Sequence, residues 1–331
     1  MAGVGAIGID LGSENSTIAI VKNNTVEVLQ NQGFLIPSIV SFQKNKRLMG
    51  FKSQLQENPQ NSIIYPTRLL GLSATYSYLG EETKWLTNTL TNHMEHKVTF
   101  CHQEKLFRPE QVVGMLLSGL SETTREHGLS MSSSDLVLSV PVYLREVERR
   151  AYMDASKIAE ADCLQTMHDT TAAALGYGIL SQGEFIKAPK VVAFADLGAS
   201  KFTVSIVEFK GDQLKVLAHS YDRNLGGRDF NWEIMNYLSQ EFYKEFGIEP
   251  LSTPSSKLKL QLASEKLKRD LSTQSEAVAN IENLTENFDL NAKLSRTKFT
   301  ELCYNLYLRL EETCVRALKI AGKLQKHSLL V

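Results

Sequence analysis

Two aspartates, each followed by the same Leu-Gly pair, are the residues of this chain best suited to handle a phosphate. Asp10 lies in the run IGIDLGSENSTIAIV at 7–21, and Asp196 lies in the run AFADLGASKFTVSIV at 193–207. An apolar strand that ends in Asp brings a carboxylate to its tip, and the following glycine lets backbone N–H groups approach an anion closely. Two such loops could hold the phosphates of a nucleotide, with both carboxylates directed toward a bridging Mg²⁺.

The repetition of the triplet is more informative than either copy. When Asp10 is aligned with Asp196, the triplets and the apolar alternation on both sides of them fall in register. A single copy is typical of an ordinary hairpin, because Asp and Gly both favour turns. The long shared pattern favours a phosphate clamp, in which each copy forms a strand, a tight turn and a returning strand.

A second set of polar residues shares one face of a predicted helix. Its members are spaced i, i+3, i+4 and i+7, and they are Glu265, Lys268, Arg269 and Ser272. Residues three and four apart are neighbours on a helix, so this stripe could present a carboxylate, a guanidinium and a hydroxyl to one ligand. The same spacing is typical of a solvated charged face, and spacing alone favours that interpretation.

The elements that must position these residues alternate between strand and helix. Up to about residue 108 the chain is a mixed region of short extended runs. The periodicities then predict a helix over about 108–126, a strand over 135–140, a helix over 144–161, a strand near 163–167 and a helix over 169–180. Strands that precede helices indicate layered α/β lobes.

The second half repeats this order after a predicted linker at 181–190. A three-strand meander extends from VVAFADLG to about Ser220. From Arg228 onward the pattern is mostly helical, with runs at 229–246, 256–272 and 295–322 and one strand-like run, AVANIEN, at 277–283. The two halves therefore predict two domains of related construction.

Composition narrows the class of protein. With 331 residues, 43% hydrophobic and 22% charged, the chain is long enough for two globular domains. A net charge of −1 argues against a general polyanion binder, so nucleic acid is not an expected partner. No run approaches the roughly eighteen apolar residues that a membrane span needs. The four separated cysteines are typical of reduced thiols, and we expect a cytosolic protein.

Several phrases give the chain a family resemblance. It resembles the nucleotide-binding domain of the heat shock protein 70 chaperones, and more closely the heat shock protein 110 branch, whose members act as nucleotide exchange factors for those chaperones. The phrases, in family order, are IGIDLGSENS, TRLLG at 67–71, SVPVYLREVERR at 139–150, HDTTAAALGYG at 168–178, FADLGASKFTVSI, NLGGRDF at 224–230 and ASEKLKRDLS at 263–272.

The resemblance implies a particular fold and domain division. The expected fold is the actin/hexokinase-like ATPase fold, an α/β architecture of two duplicated, RNase H-like lobes. Lobe I is expected over 1–187 and lobe II over 188–331, with a helical insert at about 228–312. The resemblance stops before the family's third glycine-rich segment, so we expect the second lobe to be incomplete at its C-terminus, as in a fragment, a truncated isoform or an incomplete gene product.

The resemblance also implies site residues for ATP or ADP with Mg²⁺. Asp10 and Asp196 correspond to the residues that hold the metal through water. The phosphate loops and the adjoining turn correspond to Gly12, Ser13, Gly198, Lys201, Gly226 and Gly227. The contacts to ribose and adenine correspond to Glu265, Lys268, Arg269 and Ser272.

Departures from the family pattern favour binding over turnover. Thr67 stands where the active chaperones carry a lysine, and a neutral hydroxyl cannot supply that charge to a phosphoryl transfer. Asp169 replaces a glutamate, which shortens the reach of the acidic group, and Lys201 lies in a loop that is glycine-rich in the chaperones. The predicted catalytic set, by position, is Asp10, Thr67, Asp169 and Asp196.

The function implied is that of an ATP-binding co-chaperone of the heat shock protein 110 type with little or no hydrolysis. Its expected partners are heat shock protein 70 chaperones, in the cytoplasm and also the nucleus, with unfolded clients only for a longer form. Two alternatives stay open. One is a slow ATPase chaperone module, and the other is a remnant that no longer binds nucleotide.

Overall fold

The chain divides into two units, Met1–Ala172 and Ala173–Val331. The structure is a computed structural model that describes residues 5–22, 25–29, 35–43, 46–50, 59–77, 79–86, 88, 90–93, 97–102, 105–181, 185 and 188–323. The division falls earlier than the sequence-based boundary after residue 187. Ala174 packs with Phe185 and Phe209 in one core cluster of the second unit. Most of the helix at 169–180 therefore belongs to that unit.

The first unit contains twelve strands within the described ranges. They are β1 (Ala6–Leu11), β2 (Asn15–Lys22), β3 (Thr25–Val28), β4 (Ile36–Pro37), β5 (Val40–Gln43), β6 (Lys46–Met49), β7 (Ser62–Ile63), β8 (Leu90–His93), β9 (Lys97–His102), β10 (Lys105–Phe107), β11 (Asp135–Val140) and β12 (Cys163–His168). The main sheet has the order β12-β11-β1-β2-β3, with β4 paired to β2. Strand β1 runs parallel to β11 and antiparallel to β2.

The alternation of β1 explains how the first aspartate is presented. Ile7, Ile9 and Leu11 are buried on one face of the strand, while Asp10 lies on the other face and is exposed. The parallel register with β11 places Asp10 opposite Ser139. A period-two apolar pattern thus buries one face and delivers the carboxylate to the other.

The first unit has four α-helices within the described residues, and two of them begin with a capping contact. They are α1 (Leu79–Thr83), α2 (Pro109–Glu126), α3 (Glu146–Ile158) and α4 (Asp169–Leu180), which continues into the second unit. At α2 the Gln111 side chain accepts the backbone N–H of Arg108 at 2.9 Å. At α3 the buried Glu148 does the same for the N–H of Arg145 at 2.8 Å. These contacts satisfy N–H groups that a helix start leaves open.

The second unit joins an antiparallel sheet to a mostly helical insert. Its strands are β13 (Lys190–Leu197), β14 (Phe202–Lys210), β15 (Gln213–Asp222), β16 (Glu276–Thr285) and β17 (Phe288–Ser295). Its α-helices after α4, within the described residues, are α5 (Gly227–Phe246), α6 (Pro254–Asp270), α7 (Arg296–Leu302) and α8 (Tyr304–Ile320). The predicted meander is the sheet β13-β14-β15.

In this insert one sequence-based assignment was confirmed, one strand was missed and one helix was wrong. The run AVANIEN, predicted to be strand-like, lies in β16, which pairs antiparallel with β17, the strand that the sequence analysis missed. The single helix predicted over 295–322 is divided at Cys303, which is fully buried and ends α7 before α8 begins. Burial of Leu290, Ala292 and Leu294 against the insert core explains why β17 forms.

All four cysteines are free thiols in the structure. Within the described ranges, every helix is too short or too polar to cross a bilayer.

Candidate functional site

The second Asp-Leu-Gly loop is tied to the start of helix α5 by backbone hydrogen bonds. The N–H of Gly198 donates to the carbonyl of Lys201 at 3.0 Å, which closes the loop. The N–H groups of Gly227 and Arg228 donate to the carbonyls of Gly198 and Ala199, each at 2.9 Å. Since the first N–H groups of a helix have no partner within it, the loop supplies their acceptors. The loop and the Gly226–Gly227 turn therefore form one structural unit.

Close packing explains the glycine at position 226. Its backbone is extended, with φ −155°. A Cβ atom there would lie 2.4 Å from the backbone N of Ser200 and 2.5 Å from the carbonyl carbon of Ala199. Backbone atoms cannot yield as a flexible side chain can, so only glycine fits.

We expect Gly226→Ala to lower the free energy of unfolding of the second unit by about 1–3 kcal/mol, the cost of an overpacked site. Gly176→Ala is the matched control, because a Cβ on that exposed residue of α4 would meet nothing within 4 Å. It should raise stability by about 0.5–1 kcal/mol, since alanine is the better helix former. Denaturation followed by circular dichroism measures both. Equal stability of Gly226→Ala and the unmodified chain would contradict the packing argument.

The charged stripe of helix α6 meets this turn. The Lys268 ammonium donates to the carbonyl of Gly227 at 3.0 Å, so the stripe and the turn lie side by side. Arg269 forms an ion pair with Glu265 one turn earlier, and the Ser272 hydroxyl donates to the carbonyl of Lys268 at 3.3 Å. The exposed guanidinium of Arg269 is available to a ligand. The stripe therefore lies beside the turn and the loop.

The Lys201 ammonium forms an ion pair with Asp196, the carboxylate of this unit that was predicted to hold the metal. Lys201 Nζ lies 2.5 Å from Asp196 Oδ2, and the lysine side chain is only 17% exposed. A divalent cation placed at this carboxylate would face a like charge, so the arrangement does not fit the predicted Mg²⁺. Over the part of the chain that the structure describes, no three His, Cys, Asp or Glu side chains group together as a metal site.

In the first unit, the loop after Asp10 is held by a neighbouring serine. The hydroxyl of Ser38 donates to the carbonyl of Gly12 at 2.8 Å, and its backbone N–H donates to the carbonyl of Glu14 at 2.8 Å. Ser13 lies between these two anchored positions, half-buried. The Ser139 hydroxyl donates to Oδ1 of Asp10. This loop therefore presents one carboxylate and one serine from a fixed backbone.

A buried tyrosine that the sequence reasoning missed, Tyr152, lies within electrostatic range of two acidic residues of the first unit. Burial is the main cause that raises the pKa of the Tyr152 phenol. Tyr143, Asp169 and Asp10 raise this pKa further, and the Arg68 cation lowers it. Asp10 and Asp169 therefore both lie within electrostatic reach of one buried hydroxyl. The sequence contained one signal for this residue. Tyr152 follows Glu148 by four positions, so both lie on the buried face of helix α3.

Asp169 begins helix α4. Its Oδ1 accepts the backbone N–H of Thr170 at 2.6 Å. This contact holds the carboxylate against the first turn of its own helix.

Thr67 and Arg68 lie in a buried 3₁₀ turn, Pro66–Leu69. The Arg68 Nε donates to Glu82 at 3.0 Å, and another guanidinium nitrogen donates to the Tyr143 hydroxyl at 2.9 Å. Thr67 is 7% exposed. Because Glu82 neutralises Arg68, this arginine does not replace the lysine charge that Thr67 lacks.

These features define a class of protein. Each unit presents a strand, an Asp-Leu-Gly turn and a returning strand, as in ATPases of the actin and hexokinase fold, and this chain has that fold. Residues 6–329 match the family described as Hsp70 protein, and the chain belongs to that family.

Curated relatives agree with this assignment. The chain is 34% identical to Heat shock 70 kDa protein 4 of Homo sapiens over 98% of its own length and 40% of that protein. It is 32% identical to Heat shock protein hsp88 of Neurospora crassa over 98% of its length and 47% of that protein. These relatives are of the heat shock protein 110 type, the branch that the motifs resemble. The chain thus spans less than half the length of either.

Proposed function

We propose that this chain is the nucleotide-binding part of a heat shock protein 110-type co-chaperone that binds ATP or ADP and promotes nucleotide exchange on Hsp70 chaperones. The contact between Lys268 and Gly227 carries the proposal. It joins the stripe assigned by resemblance to ribose and adenine to the turn and loop assigned to phosphate. A charged helix face that only contacts solvent would not donate a hydrogen bond to this turn, in which position 226 admits only glycine.

Residues of the first unit support binding with little turnover. Thr67 is neutral and buried, and the neighbouring cation, Arg68, is engaged by Glu82. Phosphoryl transfer depends on charges aimed at the transferred group, and this region supplies none in the place of the family's lysine. The nucleotide then acts as a structural ligand, and Hsp70 chaperones in the cytoplasm and nucleus are the proposed partners. Unfolded clients are proposed only for a longer form.

ATP titration by calorimetry tests the binding half of the proposal. We expect Arg269→Ala to weaken ATP binding about tenfold, which corresponds to about 1.4 kcal/mol and is within the range of a guanidinium stacked on a ring. Lys293→Ala is the control, because it removes a cation from an exposed ion pair with Glu276 on the β16–β17 ribbon. It should leave the affinity unchanged. If the unmodified chain binds no nucleotide, the result favours the alternative that it is a remnant that has lost nucleotide binding.

Release of labelled ADP from an active Hsp70 chaperone, followed by stopped flow, tests the exchange half. The release rate should rise and then saturate with increasing concentration of the chain. If the chain binds ATP but leaves the release rate unchanged, the exchange role is wrong while nucleotide binding stands.

A further inference from the structure

We infer that the Lys201 ammonium acts as a tethered cation for the nucleotide phosphates at the second Asp-Leu-Gly loop, in place of a divalent metal, so that ATP binding by this chain does not depend on Mg²⁺. The inference rests on the proposed nucleotide binding and specifies which charge of the loop faces the phosphates.

The lysine is part of the loop and not a side chain that reaches it from elsewhere. Lys201 Nζ lies 2.5 Å from Oδ2 of Asp196, five residues earlier in the chain. The carbonyl of Lys201 accepts the N–H of Gly198, and a Cβ on that glycine would lie 3.9 Å from Lys201 Cγ. The lysine stem therefore runs along the loop, and the loop closure that would approach a phosphate also sets where the ammonium lies.

The charges around the loop explain what this ammonium does. An unpaired carboxylate at the tip of β13 would repel a polyphosphate, and a divalent cation is the usual means of offsetting such repulsion. Lys201 neutralises Asp196 directly. Lys268 places a second ammonium beside the loop, because it donates to Gly227, whose own N–H donates to Gly198. A fixed ammonium thus offsets the Asp196 carboxylate, where a metal would otherwise be required, and Lys268 adds a positive charge beyond that pair.

The alternative is that Lys201 leaves Asp196 when nucleotide arrives and the carboxylate then takes a metal. The two possibilities differ in one measurable quantity, the ratio of ATP affinities with and without Mg²⁺. A tethered cation makes that ratio close to one. A displaced lysine makes it large.

The experiment is a calorimetric titration of the full chain with ATP, once with excess magnesium and once with EDTA. For the unmodified chain we expect dissociation constants that agree within about threefold. Lys201→Thr should weaken binding in EDTA by about tenfold or more, a fold-change of the size that a charge-assisted contact supports. Magnesium should restore part of this loss. Lys201→Arg keeps the cation and should stay independent of magnesium.

Lys215→Thr is the matched control, since it removes an exposed lysine from strand β15 of the same sheet. It should behave as the unmodified chain in both conditions. Thermal unfolding of each variant shows that loss of binding is not loss of fold. If the unmodified chain binds ATP with magnesium but loses it in EDTA, the tethered cation is overturned and nucleotide binding stands. If it binds ATP in neither condition, the proposed function fails as well.

Discussion

Glu82→Ala is expected to lower the free energy of unfolding of the first unit by about 3–5 kcal/mol, the scale found when one partner of a buried ion pair is removed. The side chains of Arg68 and Glu82 are 4% and 2% exposed. Burial by itself disfavours the charged guanidinium, but Tyr143 and Glu82 more than compensate and hold the pKa of Arg68 above its usual value. Without Glu82, the buried Arg68 cation loses the carboxylate that neutralises it, and the Tyr143 hydroxyl that also binds it is neutral.

Equilibrium denaturation with tryptophan fluorescence measures this loss. The chain has two tryptophans, Trp85 in the first unit and Trp232 in the second. A Trp232→Phe background therefore reports the first unit alone, which matters because two units need not unfold in one step.

Two further variants control the ion-pair prediction. Glu146→Ala removes a partner of Arg150 from a pair whose side chains are 76% and 71% exposed, and should cost less than about 1 kcal/mol. The double substitution of Arg68 and Glu82 by leucine removes both charges and should be less harmful than Glu82→Ala. A loss below 1 kcal/mol for Glu82→Ala would show that the pair is not buried in solution.

Single-turnover hydrolysis of ATP by this chain is expected to be slower by roughly a hundredfold or more than in a chaperone with the family's lysine, the scale of one lost electrostatic contact. Thr67 supplies no charge, and Arg68 is held by Glu82 and Tyr143. Thr67→Lys alone should restore little, because position 67 is buried and the second loop keeps its own lysine at 201.

Hydrolysis of labelled ATP, with the chain in excess, measures the chemical step without product release. Thr67→Ser is the matched control, since it keeps the hydroxyl and adds no charge, and it should leave the rate unchanged. If the unmodified chain hydrolyses ATP as fast as a lysine-bearing chaperone, the prediction is wrong. If Thr67→Lys alone recovers that rate, the missing charge at position 67 accounts for all of the difference in hydrolysis rate.

Local patterns were enough to predict many elements of the fold. The strand at 135–140 and the helix at 169–180 have the bounds that their periodicity predicts. Both are specified by contiguous residues, whose period of two or 3.6 reports directly which face is buried. The β17 strand was missed because its run FDLNAKLS contains Asp, Asn, Ala and Lys, which are depleted in strands. Pairing with β16 and burial in the insert core outweigh that weak preference.

The split at Cys303 has a similar origin. No glycine or proline lies between Arg296 and Ile320, so no strong local signal ends the helix there. The complete burial of Cys303 in a core shared with Phe202 and Leu306 is a tertiary contact, and it sets where α7 ends and α8 begins.

The site shows the same division between local and tertiary information. Spacing places Glu265 and Arg269 on one helix face, and the repeated triplet places Asp10 and Asp196 at strand tips, because both depend on residues close in sequence. Three contacts lie beyond such reasoning. Lys268 meets Gly227, Lys201 pairs with Asp196, and Glu82 neutralises Arg68.

These pairings depend on which backbone segments approach each other and on which charged side chains are buried away from water. Spacing along the chain carries neither quantity, since both are set only when the chain has folded. The residue types could therefore be read from the sequence, while the tertiary structure decided which cation each carboxylate holds, and with it whether a charge remains for a phosphate.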